Sequence, residues 1–112
     1  MSNAKAISKY IRISPRKARL AAGLIPAGTL VSEAIKRLMF CNLKAGPLLK
    51  KTLDSAVANA ETQLKARSEK LKIAEVRIDE GPTLKRSKPK NRGGQHPIMK
   101  RTSHFTVIVS QL

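Results

Sequence analysis

Aromatic residues, cysteines and carboxylates are all scarce in this chain of 112 residues. It contains one Tyr, two Phe and no Trp, one Cys, and seven Asp and Glu against 23 Lys and Arg, so the formal net charge is +16. Self-repulsion of that size destabilises a compact chain unless anions neutralise it. The composition therefore predicts a polyanionic partner, with nucleic acid as the leading candidate.

Long apolar runs and paired cysteines are missing as well. The most apolar stretch, residues 20–31, is interrupted by Gly23, Pro26 and Gly28, and it is shorter than the ~20 residues that span a bilayer. Cys41 has no intramolecular partner, and the N-terminus lacks the apolar run of a secretory signal. We expect a cytoplasmic or organellar-matrix protein with no membrane partner.

Catalytic groups are equally sparse. His96 and His104 do not stand at metal-ligand spacing to each other or to Cys41. Asp79 and Glu80 are adjacent, and successive strand side chains point to opposite faces, so the two carboxylates would not converge on one substrate. The sequence predicts no catalytic residue, no metal site and no cofactor.

Apolar periodicity predicts the first half of the fold. Residues 6–13 alternate as a strand whose apolar face would be Ile7, Ile11 and Ile13. Ser14-Pro15 is a helix start, with a capping hydroxyl followed by proline at the first helical position, and Pro26 would end that helix. A second helix is predicted from Ser32 to about residue 42.

The longest predicted helix spans residues 44–64, with Gly46-Pro47 tolerable only in its first turn. Its apolar stripe comprises Leu49, Leu53, Ala56, Val57, Ala60 and Leu64. Strand patterns follow at 71–79 and at 103–110. The order β-α-α-α-β-β predicts one α+β domain, residues 1–112, with three helices packed on a small three-stranded antiparallel sheet.

Between the last two strands lies a basic segment without any carboxylate, residues 81–101. We predict that residues 82–101 form a long extended β-hairpin, outside a globular body of residues 1–81 and 102–112. Ten residues of one arm would reach about 30 Å. A disordered basic loop without a specific partner is the alternative. The hairpin cations, which we expect to bind RNA, are Lys85, Arg86, Lys88, Lys90, Arg92, Lys100 and Arg101.

A second group of cations precedes the first carboxylate, Glu33. Several of them fall in the first turns of the first predicted helix, where the helix dipole disfavours cations unless an anion binds. Scarce aromatics favour contacts to the backbone and shape of a folded RNA over base stacking. The predicted RNA-binding residues of this group are Lys5, Lys9, Arg12, Arg16, Lys17 and Arg19.

Four blocks of the sequence together resemble the family of the bacterial-type large-subunit ribosomal protein twenty-two. They are SPRKARL at 14–20, SAVANAE at 55–61, DEGP at 79–82 with Lys85-Arg86, and KRTSH at 100–104. The resemblance implies a body of three helices on three strands, large-subunit ribosomal RNA as the partner, and a role in assembly of the subunit. It also implies that the hairpin enters the wall of the nascent-peptide exit tunnel.

In that family the hairpin tip approaches large-subunit protein four, one of the neighbouring large-subunit proteins, and lies beside the nascent polypeptide that passes through the tunnel. The corresponding tip here would be Lys90, Asn91, Arg92, Gly93 and Gly94, with Gly94 where a second arginine is usual. The expected function is thus a structural, RNA-binding component of the large ribosomal subunit. The alternatives are a free-standing basic protein that binds nucleic acid or a membrane surface, and an RNA-processing enzyme, for which no convergent site is visible.

Overall fold

The computed structural model describes the backbone of residues 3–89 and 95–112, and the side chains of residues 3–85 and 99–112. The predicted α+β class, with three helices on one three-stranded antiparallel sheet and an added two-stranded hairpin, is confirmed. The elements are β1 (Asn3–Ile11), α1 (Pro15–Ala22), α2 (Val31–Met39), α3 (Ala45–Gln63), a 3-10 turn (Ser68–Lys70), β2 (Leu71–Glu80), β3 (Leu84–Pro89), β4 (Gln95–Lys100) and β5 (Ser103–Gln111).

Helix α1 begins as its sequence predicts. Pro15 is the first helical residue, and the Ser14 hydroxyl accepts a hydrogen bond from the backbone N–H of Lys17 at 3.4 Å. The helix ends at Ala22, several residues before Pro26, because the N–H groups of Leu24 and Ile25 bond three residues back instead of four. This tighter turn places Ile25 in the core, where it is fully buried.

Helix α2 begins earlier than predicted. Its N-cap is Leu30, and no side chain caps it, so the assignment of Ser32 as the start is wrong. The backbone of Leu30 pairs with Lys72 of β2. The N–H of Ile73 donates to the carbonyl of Thr29, and the N–H of Gly28 donates to the carbonyl of Ile73. These contacts fix the chain up to residue 30, and the helix begins directly after them.

Helix α3 packs its predicted stripe into the core, with all of its members buried or half-buried. Pro47 lies in the first turn, where its missing N–H removes no helical bond. Gly46 packs against Cys41 so closely that a Cβ there would lie 2.9 Å from the Cys41 Cβ. Glycine at this position therefore lets the start of α3 approach the end of α2.

Strand β5 is the centre of the body sheet, with β1 and β2 antiparallel on either side of it. In β5, Phe105, Val107 and Val109 are fully buried, and Thr106 between them is buried as well. The predicted apolar face of β1 is wrong in its first half: Ala4 and Ala6 are buried, whereas Ile7 is 46% exposed.

An irregularity between Ser8 and Ile11 explains this error. Tyr10 adopts a positive φ of 60°, and β1 has one residue more than β5 over this stretch. The positions after it therefore lie on the opposite face, and Ile13 is buried just beyond the end of the strand. Small side chains on β1 let α3 approach closely, and the Asn59 side chain donates a hydrogen bond to the carbonyl of Lys5 at 2.9 Å.

The hairpin is a separate two-stranded sheet in which β3 pairs antiparallel with β4, from Leu84 opposite Lys100 to Pro89 opposite Gln95. The molecule is correspondingly elongated, with principal extents of 62 × 24 × 17 Å. At the base of the hairpin, the N–H of Gly81 donates to the carbonyl of Thr102 at 2.9 Å. The Thr102 hydroxyl donates to the carbonyl of Pro82 at 2.6 Å.

Candidate nucleic-acid interface

The first turn of α1 contains cations and no acidic residue. Arg16 and Lys17 are exposed there, and Arg19 is exposed in the last turn of the same short helix. Cations near a helix N-terminus face the positive end of the helix dipole, an arrangement that costs free energy in the absence of an anion. The turn is thus suited to a phosphate group, which would satisfy free N–H groups and side chains together.

A groove of about 540 Å³ lies between this turn and the base of the hairpin. Among the described residues, its cations are Arg16, Lys17, Arg19 and Arg101, and its one carboxylate is Glu80. Glu80 is paired with Arg101, at 3.7 Å between the carboxylate and the guanidinium. One ion pair in a groove with four cations leaves a strong excess of positive charge.

A second groove, of about 890 Å³, runs on the other side of the α1 N-terminus. Apolar side chains, including Leu20, Leu43 and Met99, line part of it, and among the described residues no carboxylate does. Its cations are Arg12, Lys17, Lys44, Lys100 and Arg101. The combination of cations with apolar surface matches the phosphates and sugars of a nucleic-acid backbone.

The two grooves share Ser14, Lys17, Leu20 and Arg101. They therefore form one surface, which we call the basic saddle, around the N-terminus of α1. Lys17 and Arg101 are 84 positions apart in the sequence (101 − 17). Lys17 belongs to the N-terminal cation group and Arg101 to the hairpin group. The fold brings these groups together because α1 packs against β2, and β2 leads into the base of the hairpin after Glu80.

Arg19 has a structural contact in addition to its place in the saddle. One terminal nitrogen of its guanidinium donates to the carbonyl of Ile78 in β2 at 3.1 Å. A guanidinium carries five N–H donors, so this bond leaves others for a phosphate. Arg19 therefore holds α1 against the sheet while still lining the groove.

Lys44 is a saddle residue that the sequence analysis missed. It precedes α3 at the N-cap position and lines the larger groove. In the sequence it belongs to the middle section, where carboxylates balance much of the positive charge. The available signal was its position at a second helix N-terminus with no acidic residue in the first turn.

The other predicted RNA-binding residues lie away from the saddle or are described only in part. Lys5 and Lys9 are exposed on β1 and line neither groove. Lys85 is exposed on β3, and Arg86 and Lys88 are described only as backbone positions of that strand, opposite Ile98 and His96. The predicted tip, Lys90, Asn91, Arg92, Gly93 and Gly94, lies outside the described residues.

Neither a metal site nor a bilayer-crossing helix is found in the part of the chain that the structure describes. No three His, Cys, Asp or Glu side chains of those residues gather closely enough to hold a metal ion. None of the helices there combines the length and the apolar content that a transmembrane segment needs.

Comparison with known proteins adds an independent line of observation. Residues 6–110 match the family model described as Ribosomal protein L22p/L17e. The chain is 78% identical over 112 residues to the large ribosomal subunit protein uL22 of Protochlamydia amoebophila (strain UWE25), with 100% of both chains covered. It is 59% identical over 107 residues to the uL22 protein of Chlamydia abortus and 58% identical to that of Chlamydia pneumoniae, with 96% of each chain covered.

Proposed function

Because this chain belongs to the ribosomal protein L22p/L17e family, we propose that it binds large-subunit ribosomal RNA through the basic saddle and the hairpin. In this role it supports folding of that RNA during assembly of the large subunit and lines the nascent-peptide exit tunnel. The observation that carries the proposal is the convergence of the two cation groups on the N-terminus of α1.

The physical basis of RNA binding is neutralisation of phosphates. Each phosphate contacted by a lysine or arginine releases condensed counterions, which supplies affinity that falls steeply with salt. The saddle presents seven cations, Arg12, Arg16, Lys17, Arg19, Lys44, Lys100 and Arg101, in two adjoining grooves. Only Arg101 among them forms an ion pair with a carboxylate in the described part of the chain. The saddle is therefore suited to a backbone segment that carries several phosphates.

The hairpin is the proposed tunnel element. Its two strands pair only with each other among the described residues, so the hairpin is not a part of the body sheet. This geometry supports an arm that passes between RNA helices and reaches the tunnel wall. Contact of its tip with large-subunit protein four and with the nascent polypeptide is part of the same proposal, and rests on the family resemblance.

The joint between body and hairpin supports a division into two functional parts, residues 1–81 with 102–112 and residues 82–101. Gly81, Pro82 and Thr102 are linked by two short hydrogen bonds across the base. These bonds set the direction of the hairpin relative to the saddle. One protein would thereby connect RNA segments at the body with RNA segments along the arm, which is the physical sense in which it supports assembly.

We place the protein on ribosomes in the cytoplasm, in keeping with the bacterial relatives, and assign it no catalytic role. A free-standing nucleic-acid-binding protein is the second candidate, because a +16 charge binds any polyanion. Sedimentation through sucrose separates the two. Tagged protein expressed in cells should remain with large subunits in a salt wash that strips an added unrelated basic protein. Loss of both proteins in the same wash would contradict the proposal.

A further inference from the structure

Tyr10 is an exposed aromatic residue held in an unusual backbone conformation. It is 63% exposed, and its φ of 60° lies in the left-handed region that residues other than glycine rarely adopt. It lies in the irregular part of β1, between Ser8 and Ile11. Strained residues persist where the surrounding structure over-determines them, and irregularities of this kind redirect a side chain.

His104 fixes the direction of Tyr10. The backbone N–H of Tyr10 donates to Nδ1 of His104 at 3.1 Å, and the two rings meet edge to face with centroids 5.0 Å apart and planes at 88°. His104 is half-buried on β5, and a Cβ at Gly81 would lie 3.1 Å from its Cε1. The imidazole is therefore confined on its other side by the base of the hairpin. Tyr10 is held in place while most of its surface stays open.

The charges around Tyr10 favour a nucleic-acid ligand. Lys9 directly precedes it and Arg12 follows two positions later. Both are exposed, and Arg12 lines the larger groove of the basic saddle. On the opposite side, Asp79 of β2 lies across from His104, and its carboxylate is bonded to the guanidinium of Arg77 at 3.1 Å. Tyr10 thus lies two positions before a saddle cation in the chain, while the carboxylate across from His104 already has a cationic partner.

We propose that Tyr10 stacks on an unpaired base of the RNA whose backbone binds the saddle, an inference that rests on the proposed function. A base within a duplex is covered by its neighbours and presents no face to a side chain, so the ligand is an unpaired nucleotide in a loop or bulge. The scarcity of aromatics argued against base stacking as the general mode of binding. The structure assigns it to one position, where the ring is exposed and held.

The chain contains a built-in probe for this contact, because Tyr10 is its only tyrosine and it has no tryptophan. Tyrosine fluorescence of the whole protein therefore reports this ring alone. Two end-labelled RNA probes of equal phosphate number are used, a stem with an unpaired adenine-rich loop and a fully paired stem. Both should raise the anisotropy of the label, but only the loop RNA should quench the tyrosine emission.

Substitutions then separate stacking from structure. Tyr10→Phe should keep the affinity for the loop RNA, whereas Tyr10→Leu should lower it roughly 5- to 150-fold. Tyr10→Gly accepts the positive φ without strain, so it should fold at least as stably as wild type and still show the same reduction in affinity. All three variants should bind the paired stem as wild type does.

The outcomes distinguish this inference from the proposed function. No binding of either RNA at moderate salt would overturn both. Binding of both RNAs with equal quenching, or binding of the loop RNA without quenching, would overturn only the stacking role of Tyr10. An unchanged affinity of Tyr10→Leu and Tyr10→Gly for the loop RNA would have the same meaning.

Discussion

Gly81 and Thr102 face each other across the base of the hairpin, with the Gly81 N–H bonded to the Thr102 carbonyl at 2.9 Å. A Cβ built on Gly81 would lie 2.5 Å from the Thr102 hydroxyl oxygen, which is closer than side-chain atoms pack. That hydroxyl is itself bonded to the Pro82 carbonyl at 2.6 Å. The pair therefore leaves no space for a side chain at residue 81.

We expect Gly81→Ala to destabilise the protein by about 1–3 kcal/mol, because Thr102 or the backbone must move to admit the methyl group. Chemical denaturation followed by circular dichroism measures the free energy of unfolding. Gly23→Ala is the matched control, since Gly23 has a helical φ of −64° and its nearest atom to a Cβ lies at 3.4 Å. That variant should be neutral or slightly stabilised. Equal effects of the two substitutions would show that the contact at Gly81 does not restrict the side chain.

The basic saddle predicts a specific change in salt dependence. Replacing Arg16, Lys17 and Lys44 together by glutamine should make the negative slope of log K against log salt shallower by about 2. Each phosphate that is no longer neutralised contributes ~0.7–0.9 to this change. The slope is measured by titrating large-subunit ribosomal RNA with labelled protein at several salt concentrations.

The control for this triple variant removes the same charge from elsewhere. Lys36, Lys51 and Lys70 are exposed and line neither groove of the saddle. Their joint replacement by glutamine should change the slope by less than half as much. If both triple variants flatten the slope equally, then the RNA responds to net charge alone and the saddle is not a binding surface.

The hairpin should be removable without unfolding the body. Leu84 and Lys100 are paired, so replacing residues 85–99 by Asn-Gly closes the strands with a two-residue turn in the existing register. Stability depends on loop length only at about 0.6 kcal/mol per doubling, so the thermal midpoint should change little. The shortened protein should still join large subunits, with weaker affinity at high salt and an altered response of tunnel-stalled nascent chains.

Two results would contradict that division. An unfolded deletion variant would place the hairpin in the folding unit of the body. Subunits that stall nascent chains as wild type does would remove the proposed role of the hairpin in the tunnel. Circular dichroism and a stalling assay with purified ribosomes give these answers separately.

The sequence predicted those parts of the fold whose information is local. The stripe from Leu49 to Ala60 repeats at helical spacing over several turns, and Ser14-Pro15 carries its own capping chemistry. The buried face of β1 was not predictable, because the positive φ of Tyr10 shifts the alternation of buried and exposed positions. Nothing in a tyrosine side chain demands a positive φ. The start of α2 was misplaced because a contact with Lys72, more than 40 positions further on by residue number, decides it.

The candidate site, too, was predictable only where its information is local in the sequence. Both cation groups are visible as runs of charge, yet their meeting at Lys17 and Arg101 depends on the order of strands in the sheet. Lys44 joins them only because α3 begins beside the larger groove. Tyr10 gives no signal in the sequence at all, since its exposure follows from an irregular strand and from the position of His104.

Hydrogen bonds from neighbouring segments to the outer strands of the body sheet bear on how this protein meets other copies of itself. Along β2, the segment at Gly28 and Thr29 bonds to Ile73, and Arg19 bonds to Ile78. Along β1, Asn59 bonds to Lys5. Unpaired strand edges recruit other chains into aggregates. With these groups occupied, fewer backbone groups at the edges of the body sheet remain free to pair with a second copy of the chain.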